Sequence, residues 1–148
     1  MEVTIREASA ADLPAILELY AQPDMDGGKR LSVAEAEVLF SRLQSYPSYK
    51  MYAAVADDRI VGVFSLLIMD KLAHLGTPSG IVEDVVVRQD LQGRGIGRKM
   101  MVFARDRCQE AGAYKLVLSS NRRREDAHRF YESLGFRKHG FSFVVEVE

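Results

Sequence analysis

An α/β fold, with a mixed sheet and helices on both faces, is the class that this chain of 148 residues predicts. Three observations predict it. Seven segments carry the alternation or the β-branched runs of strands, and four carry apolar residues at helical spacing. Their order is strand-helix-helix, three successive strands, helix-strand-helix and two closing strands, so helices and strands intermix instead of segregating. Strand-helix-strand crossovers fall at 81–119 and again on the way to Phe136, which requires parallel neighbours beside antiparallel ones.

Taken in order, Val3 and Ile5 alternate with Thr4 and Arg6 as a short half-buried strand. Ser9 and Asp12 stand at capping-box spacing, with Asp in place of the usual Glu or Gln. Leu13, Ile16, Leu17 and Tyr20 then share one helix face, with Pro14 in the first turn, where a missing N–H costs nothing. The polar connection 22–30 holds Pro23, Gly27 and Gly28 and is expected to be mobile. Ser32 and Glu35 form a second capping box ahead of the stripe Ala36, Leu39, Phe40 and Leu43. Segments 51–56 and 59–68 read as strands joined through Asp57-Asp58 in a hairpin.

A loop over 69–80 leads into a strand over 81–87. Met100, Ala104, Cys108 and Ala111 give the third helix its core stripe, and Gly112 ends it as a C′ glycine. Residues 115–119 return as a strand. Ala127, Phe130, Tyr131 and Leu134 stripe the last helix, which Gly135 stops, and 136–138 with 141–147 close the chain as a hairpin around Gly140. No internal repeat, low-complexity tract or linker interrupts this order, so 1–148 reads as a single domain.

Bulk properties exclude several function classes. Net charge is −1, which leaves no global electrostatic case for nucleic acid or an anionic membrane. The apolar run 63–69 is broken by Ser65 and is far too short to span a bilayer. Met1 leads straight into an alternating pattern, without the basic and apolar regions of a signal peptide. A single cysteine permits no intrachain disulfide and agrees with a reducing cytoplasm. His74, His128 and His139 are scattered, so no metal-ligand spacing arises.

The chemistry-bearing stretch is 84–98, where a β-branched run ends in a polar bend, a glycine-dense turn and a helix. Glycines admit close backbone approach, and the helix start offers unpaired N–H groups with the positive end of its dipole. Together these describe an anion site, with phosphate as the usual occupant. The spacing Gly93-x-Gly95-x-Gly97 is not the dinucleotide fingerprint, and five residues separate Val87 from Gly93. A phosphate loop ending in G-K-[ST] is excluded because Gly97 is followed by Arg98, Lys99 and Met100.

Gln92-Gly93-Arg94-Gly95-Ile96-Gly97 instead matches Q/R-x-x-G-x-G/A, and Phe130-Tyr131-Glu132-Ser133-Leu134-Gly135-Phe136 matches F-Y-x-x-x-G-F. With these motifs the chain resembles the GCN5-related N-acetyltransferase (GNAT) superfamily over about Gly80 to Phe136, and more loosely from Ile5-Arg6 to Tyr20. The resemblance implies a mostly antiparallel mixed sheet of about seven strands, splayed between the fourth and fifth, and about four helices. It implies acetyl-coenzyme A as co-substrate, no metal, and direct acetyl transfer to a primary amine.

Residue by residue, the resemblance places the pantetheine arm on the backbone of Val85, Val86 and Val87, one N–H polarising the thioester carbonyl. It places the diphosphate on Gln92, Gly93, Arg94, Gly95, Ile96, Gly97 and Arg98, and Asn121 near the pantetheine arm. Tyr131 is implied as the general acid for the departing thiolate. The attacking ammonium must lose a proton, so a carboxylate is needed, directly or through water. Glu83 and Asp84 are the candidates; alternation sends them to opposite faces, and Glu83 is favoured.

Arg122, Arg123 and Arg124 are candidates for the 3′-phosphate, Cys108 reads as packing, and His74 borders the acceptor side. His128 falls beside its helix stripe and is expected to be exposed. The acceptor is assigned to the segment Asp24-Met25-Asp26-Gly27-Gly28-Lys29-Arg30. The run 81–87 with Tyr114-Lys115-Leu116 is similar to glucosamine-6-phosphate N-acetyltransferases, and Asp126-Ala127-His128-Arg129-Phe130-Tyr131 to aminoalkylphosphonate N-acetyltransferases. A small anion-bearing amine is therefore expected, with Lys29 or Arg30 as anion contacts. Acetylation of a protein amine and a non-catalytic acyl-coenzyme A sensor remain alternatives, and a homodimer is an open option.

Overall fold

The computed structural model describes residues 1–120 and 122–147. They fall into two compact units, Met1–Val117 and Leu118–Glu148. The first unit holds β1 (Thr4–Glu7), α1 (Leu13–Tyr20), α2 (Val33–Leu43), β2 (Tyr49–Ala56), β3 (Arg59–Met69), β4 (Ser79–Val87), α3 (Ile96–Glu110) and β5 (Leu116–Val117). The second holds α4 (Glu125–Ser133). The sheet order is β1-β2-β3-β4-β5, antiparallel except for the parallel pair β4–β5. Among the described residues no helix is long and apolar enough to cross a membrane.

Among the described residues the sheet has five strands, not about seven. The expected closing hairpin over 136–147 forms no strand, and Phe141, Phe143 and Val147 are more than 90% exposed. An isolated hairpin is marginal in water, and this segment has no ladder partner among the described residues. The expected strand over 115–119 is reduced to Leu116–Val117, which pairs only with Gly80 and Ile81.

Local rules explain most elements. The Ser32 Oγ accepts from the Glu35 N–H while the Glu35 carboxylate accepts from the Ser32 N–H, closing the predicted box at the start of α2. The Asp12 carboxylate accepts from the Ser9 N–H at 2.8 Å and also takes two Arg6 bonds at 2.7 and 2.9 Å. Asp57 and Asp58 have φ of 50° and 60°, the mirror-image turn that suits the right-handed twist of a two-residue hairpin. At the end of α3 the Ala113 N–H bonds the Cys108 carbonyl and Gly112 bonds Gln109, a Schellman cap with Gly112 left-handed.

Helices cover both faces of the sheet. Leu13, Ile16 and Leu17 of α1 with Phe40 of α2 bury against Val63 and Val86. On the opposite face α3 approaches closely: a Cβ at Gly80 would sit 2.3 Å from the Cys108 Sγ. Tyr52, Phe64 and Phe103 pack there, with ring centroids 4.9–6.4 Å apart.

Candidate active site

β4 is where local sequence and sheet register part company. Val63 pairs with Val86, yet Ser65 pairs with Glu83, so Asp84 and Val85 together oppose the single residue Phe64. That is a β-bulge, and Asp84 takes up the slack with φ of 53°, a left-handed conformation that Asp tolerates better than most residues. Non-glycine residues held there store of order 1–3 kcal/mol and concentrate at functional sites.

The bulge overrides alternation. Glu83 and Asp84, which strict alternation sends to opposite faces, are both exposed. Glu83 lies across from Ser65, a buried residue that acts on the Tyr20 phenol at the end of α1. Burial pushes the Tyr20 phenol well above the usual tyrosine range, and the Asp84 charge pushes it further. The Asp84 carboxylate thus stands near a protonated phenol. Tyr20 was legible as a stripe residue, but nothing in the sequence marked its hydroxyl as part of this cluster.

The same strand offers a backbone edge with no neighbouring strand among the described residues, its Val87 carbonyl capped by the side chains of Gln22 and Gln92. The Arg88 N–H donates to the Val61 carbonyl at 2.9 Å, so the two-residue alternation turns the polar groups of Val86 toward β3 and those of Val85 and Val87 away from it. The β5 ladder stops at Ile81, leaving 82–87 without a strand partner on that outer side among the described residues. The Val86 side chain is buried in the core with α1, while Val85 and Val87 are half-buried.

Past the strand, a short turn over Gln89–Leu91 leads to the glycines. Leu91 and Ile96 are buried and pin both ends of the bend, while Gln92, Gly93, Arg94 and Gly95 are exposed between them. Gly93 and Gly95 have φ of 82° and 86°, and a Cβ on either would meet nothing within 4 Å. The conformation demands glycine, and the space above it is open. Gly95 caps α3, Gly97 and Arg98 lie in its first turn, and no acidic residue opposes the dipole there. Arg98 is exposed.

In the second unit, Tyr131 is half-buried, and burial raises its phenol above the usual range while the Arg124 charge lowers it. The F-Y-x-x-x-G-F motif proves to be a second Schellman cap. The Phe136 N–H bonds the Tyr131 carbonyl at 3.1 Å and the Gly135 N–H bonds Glu132. Gly135, at φ of 96°, turns the chain so that the Phe136 ring packs edge-on against Tyr131, 5.8 Å between centroids. The motif therefore fixes a phenol between two aromatic rings, Phe130 being the other at 5.2 Å.

Other candidates separate clearly. Asn121 lies outside the described residues. Arg122, Arg123 and Arg124 are exposed, and His128 is half-buried where exposure was expected. Cys108 is buried and burial pushes its thiol up, which suits packing and not nucleophilic attack. His74 is exposed and stacks 4.8 Å from Tyr114. The connection 22–30, expected to be mobile, is a nest of turns: Gly28 bonds Ala21 at 2.7 Å, Asp26 bonds Tyr20 at 3.0 Å, and Met25 packs against the core. Lys29 and Arg30 are exposed at its end.

Comparison with known proteins agrees with this architecture. The model of the acetyltransferase (GNAT) family matches residues 13–136. A glucosamine 6-phosphate N-acetyltransferase of Trypanosoma brucei brucei is 30% identical over 143 residues, covering 94% of this chain and 92% of its own. An aminoalkylphosphonate N-acetyltransferase of Salmonella typhimurium is 32% identical, covering 66% of this chain and 63% of its own. A crystal structure from Bacillus halodurans, described as a transcriptional regulator, superposes with a TM-score of 0.90 at 26% identity, covering 99% of this chain and all of its own.

Proposed function

The chain belongs to the acetyltransferase (GNAT) family, and on that premise we propose that it moves the acetyl group of acetyl-coenzyme A to the primary amine of a small, anion-bearing molecule. The observation that carries this is the course of β4: a bulged strand whose outer backbone edge lies beyond the β5 ladder runs into an open glycine turn at an unopposed helix N-terminus. An elongated ligand with amides at one end and a diphosphate at the other fits that succession of donors and acceptors.

In this proposal Val85 and Val87 pair with the pantetheine amides, and Val86 between them anchors the strand in the core. The amides over 92–98 take the diphosphate, Arg94 and Arg98 add charge, and Asn121 is assigned to the pantetheine arm by family resemblance alone. Glu83 removes a proton from the ammonium, directly or through water, with Asp84 as the neighbouring carboxylate. The amine nitrogen attacks the thioester carbon, a backbone N–H beside the bulge stabilises the oxyanion, and the C–S bond breaks. Tyr131 then protonates the thiolate.

The names of two similar proteins, a hexosamine phosphate acetyltransferase and an aminoalkylphosphonate acetyltransferase, support an amine that carries an anion. Lys29 or Arg30 is its contact. The proposal takes 1–148 as a single catalytic domain in a reducing cytoplasm, consistent with one buried thiol. It also includes a homodimer, for which the exposed apolar run at 141–147 is the support.

The test is thiol release from acetyl-coenzyme A against a panel of aminosugar phosphates, aminophosphonates, plain amines and peptides. Turnover with the anionic small amines is expected. Turnover with peptides alone would overturn the acceptor, and tight binding with no turnover on any amine would overturn the transfer itself.

A further inference from the structure

Gln22 follows Ala21, the C-cap of α1, and opens the connection assigned to the acceptor. Its side chain leaves that connection and closes on the far end of β4. The Gln22 Nε2 donates to the Val87 carbonyl at 3.1 Å, and its Oε1 accepts from the Gln89 N–H at 2.8 Å. The amide orientation follows from its partners, because a flipped carboxamide would set donor against donor and acceptor against acceptor. The side chain thus pairs with residues i and i+2 of the backbone as a neighbouring strand would. It does so where β5 supplies no partner.

The main chain of the same residue holds the other side. The Gln22 carbonyl accepts from the Met25 N–H at 3.0 Å and from the Gly27 N–H at 3.3 Å, closing the turns of the acceptor connection. One residue therefore ties the acceptor turns with its backbone and the donor edge with its side chain. Resting on the donor reading above, we propose that Gln22 is a positioning residue that couples the two ligand sites. It fixes the exit of β4 so that the glycine turn meets the diphosphate, and it passes the ordering of that edge to 25–28. By linkage, whatever tightens one site through this clasp tightens the other equally.

Gln22→Met keeps the length of the side chain and removes both bonds; Gln22→Glu keeps the acceptor for Gln89 and loses the donor for Val87. Coenzyme A binding by calorimetry should weaken about tenfold in Gln22→Met, as two neutral hydrogen bonds would predict, and by less in Gln22→Glu. In steady state the change should fall on KM for acetyl-coenzyme A and leave kcat nearly intact. Hydrogen exchange supplies the discriminating readout. Saturating coenzyme A should slow exchange at Met25 and Gly27 in the parent protein and fail to do so in Gln22→Met, although 93–98 stays protected in both. A merely structural glutamine would speed exchange with and without ligand and keep the ligand-induced protection. Protection at Met25 and Gly27 that survives in Gln22→Met overturns the coupling alone. Failure of the parent protein to bind coenzyme A overturns the donor reading and the coupling with it.

Discussion

Tyr131 stays protonated across the neutral range because burial raises its phenol, which is the state a donor to a thiolate needs. Tyr131→Phe keeps the ring between Phe130 and Phe136 and removes only the hydroxyl. Turnover should drop by roughly 10²–10⁴-fold with coenzyme A affinity unchanged, as single-turnover kinetics and calorimetry would show. A full rate in Tyr131→Phe would remove it from the mechanism. Glu83 and Asp84 need a cleaner separation, because the bulge brings both to the surface. Asparagine tolerates the left-handed backbone as well as aspartate does, so Asp84→Asn deletes the charge and preserves the bulge. Glu83→Gln should cost about 10²-fold or more in kcat, with Asp84→Asn far milder. The reverse ranking would hand the base to Asp84.

At the scale of elements, the glycine turn is the part most open to a direct test. Gly95 caps α3 at φ of 86° with nothing within 4 Å of its missing Cβ. Gly95→Val should leave the far-UV spectrum of the helices in place and abolish coenzyme A binding by calorimetry, because a branched side chain both strains the cap and fills the approach. Intact binding would move the diphosphate elsewhere. Local elements such as this one were legible in the sequence, since their causes lie within a few residues: the Ser32–Glu35 box, the Asp57-Asp58 turn, the caps at Gly112 and Gly135. What escaped depends on partners far along the chain. The Asp84 bulge exists only relative to β3, Gln22 reaches across 65 residues to Val87, and the alternation at 141–147 looks like a strand whether or not a partner is available.

For the whole molecule, the Arg6–Asp12 pair joins the first strand to the entry of the first helix and makes stability depend on acid. The Arg6 guanidinium, with the Ser9 N–H, holds the Asp12 carboxyl at about 2 against an ordinary 3.8. The folded state keeps Asp12 ionised where the unfolded chain takes up a proton. Its contribution is therefore complete above about pH 4 and fades as pH falls toward 2. Asp12→Asn should lose about 1–2 kcal/mol at pH 7 and flatten the acid limb, as denaturant titrations at pH 7 and pH 3 would show; the half-exposed Arg6 keeps the figure modest. The left-handed residue in β4 has a consequence of a different kind. It acts as a parity switch: before it, even-numbered Gly80 faces Cys108 of α3, and after it even-numbered Val86 packs in the layer under α1. Deleting one residue between Glu83 and Val86 would bring Val63–Val86 and Ser65–Glu83 into one regular ladder, erasing the bulge and leaving the flanking side chains on their own faces. One residue fewer would thus flatten the edge beside the candidate acids and spare the two hydrophobic layers, so the bulge is a feature the packing alone does not require.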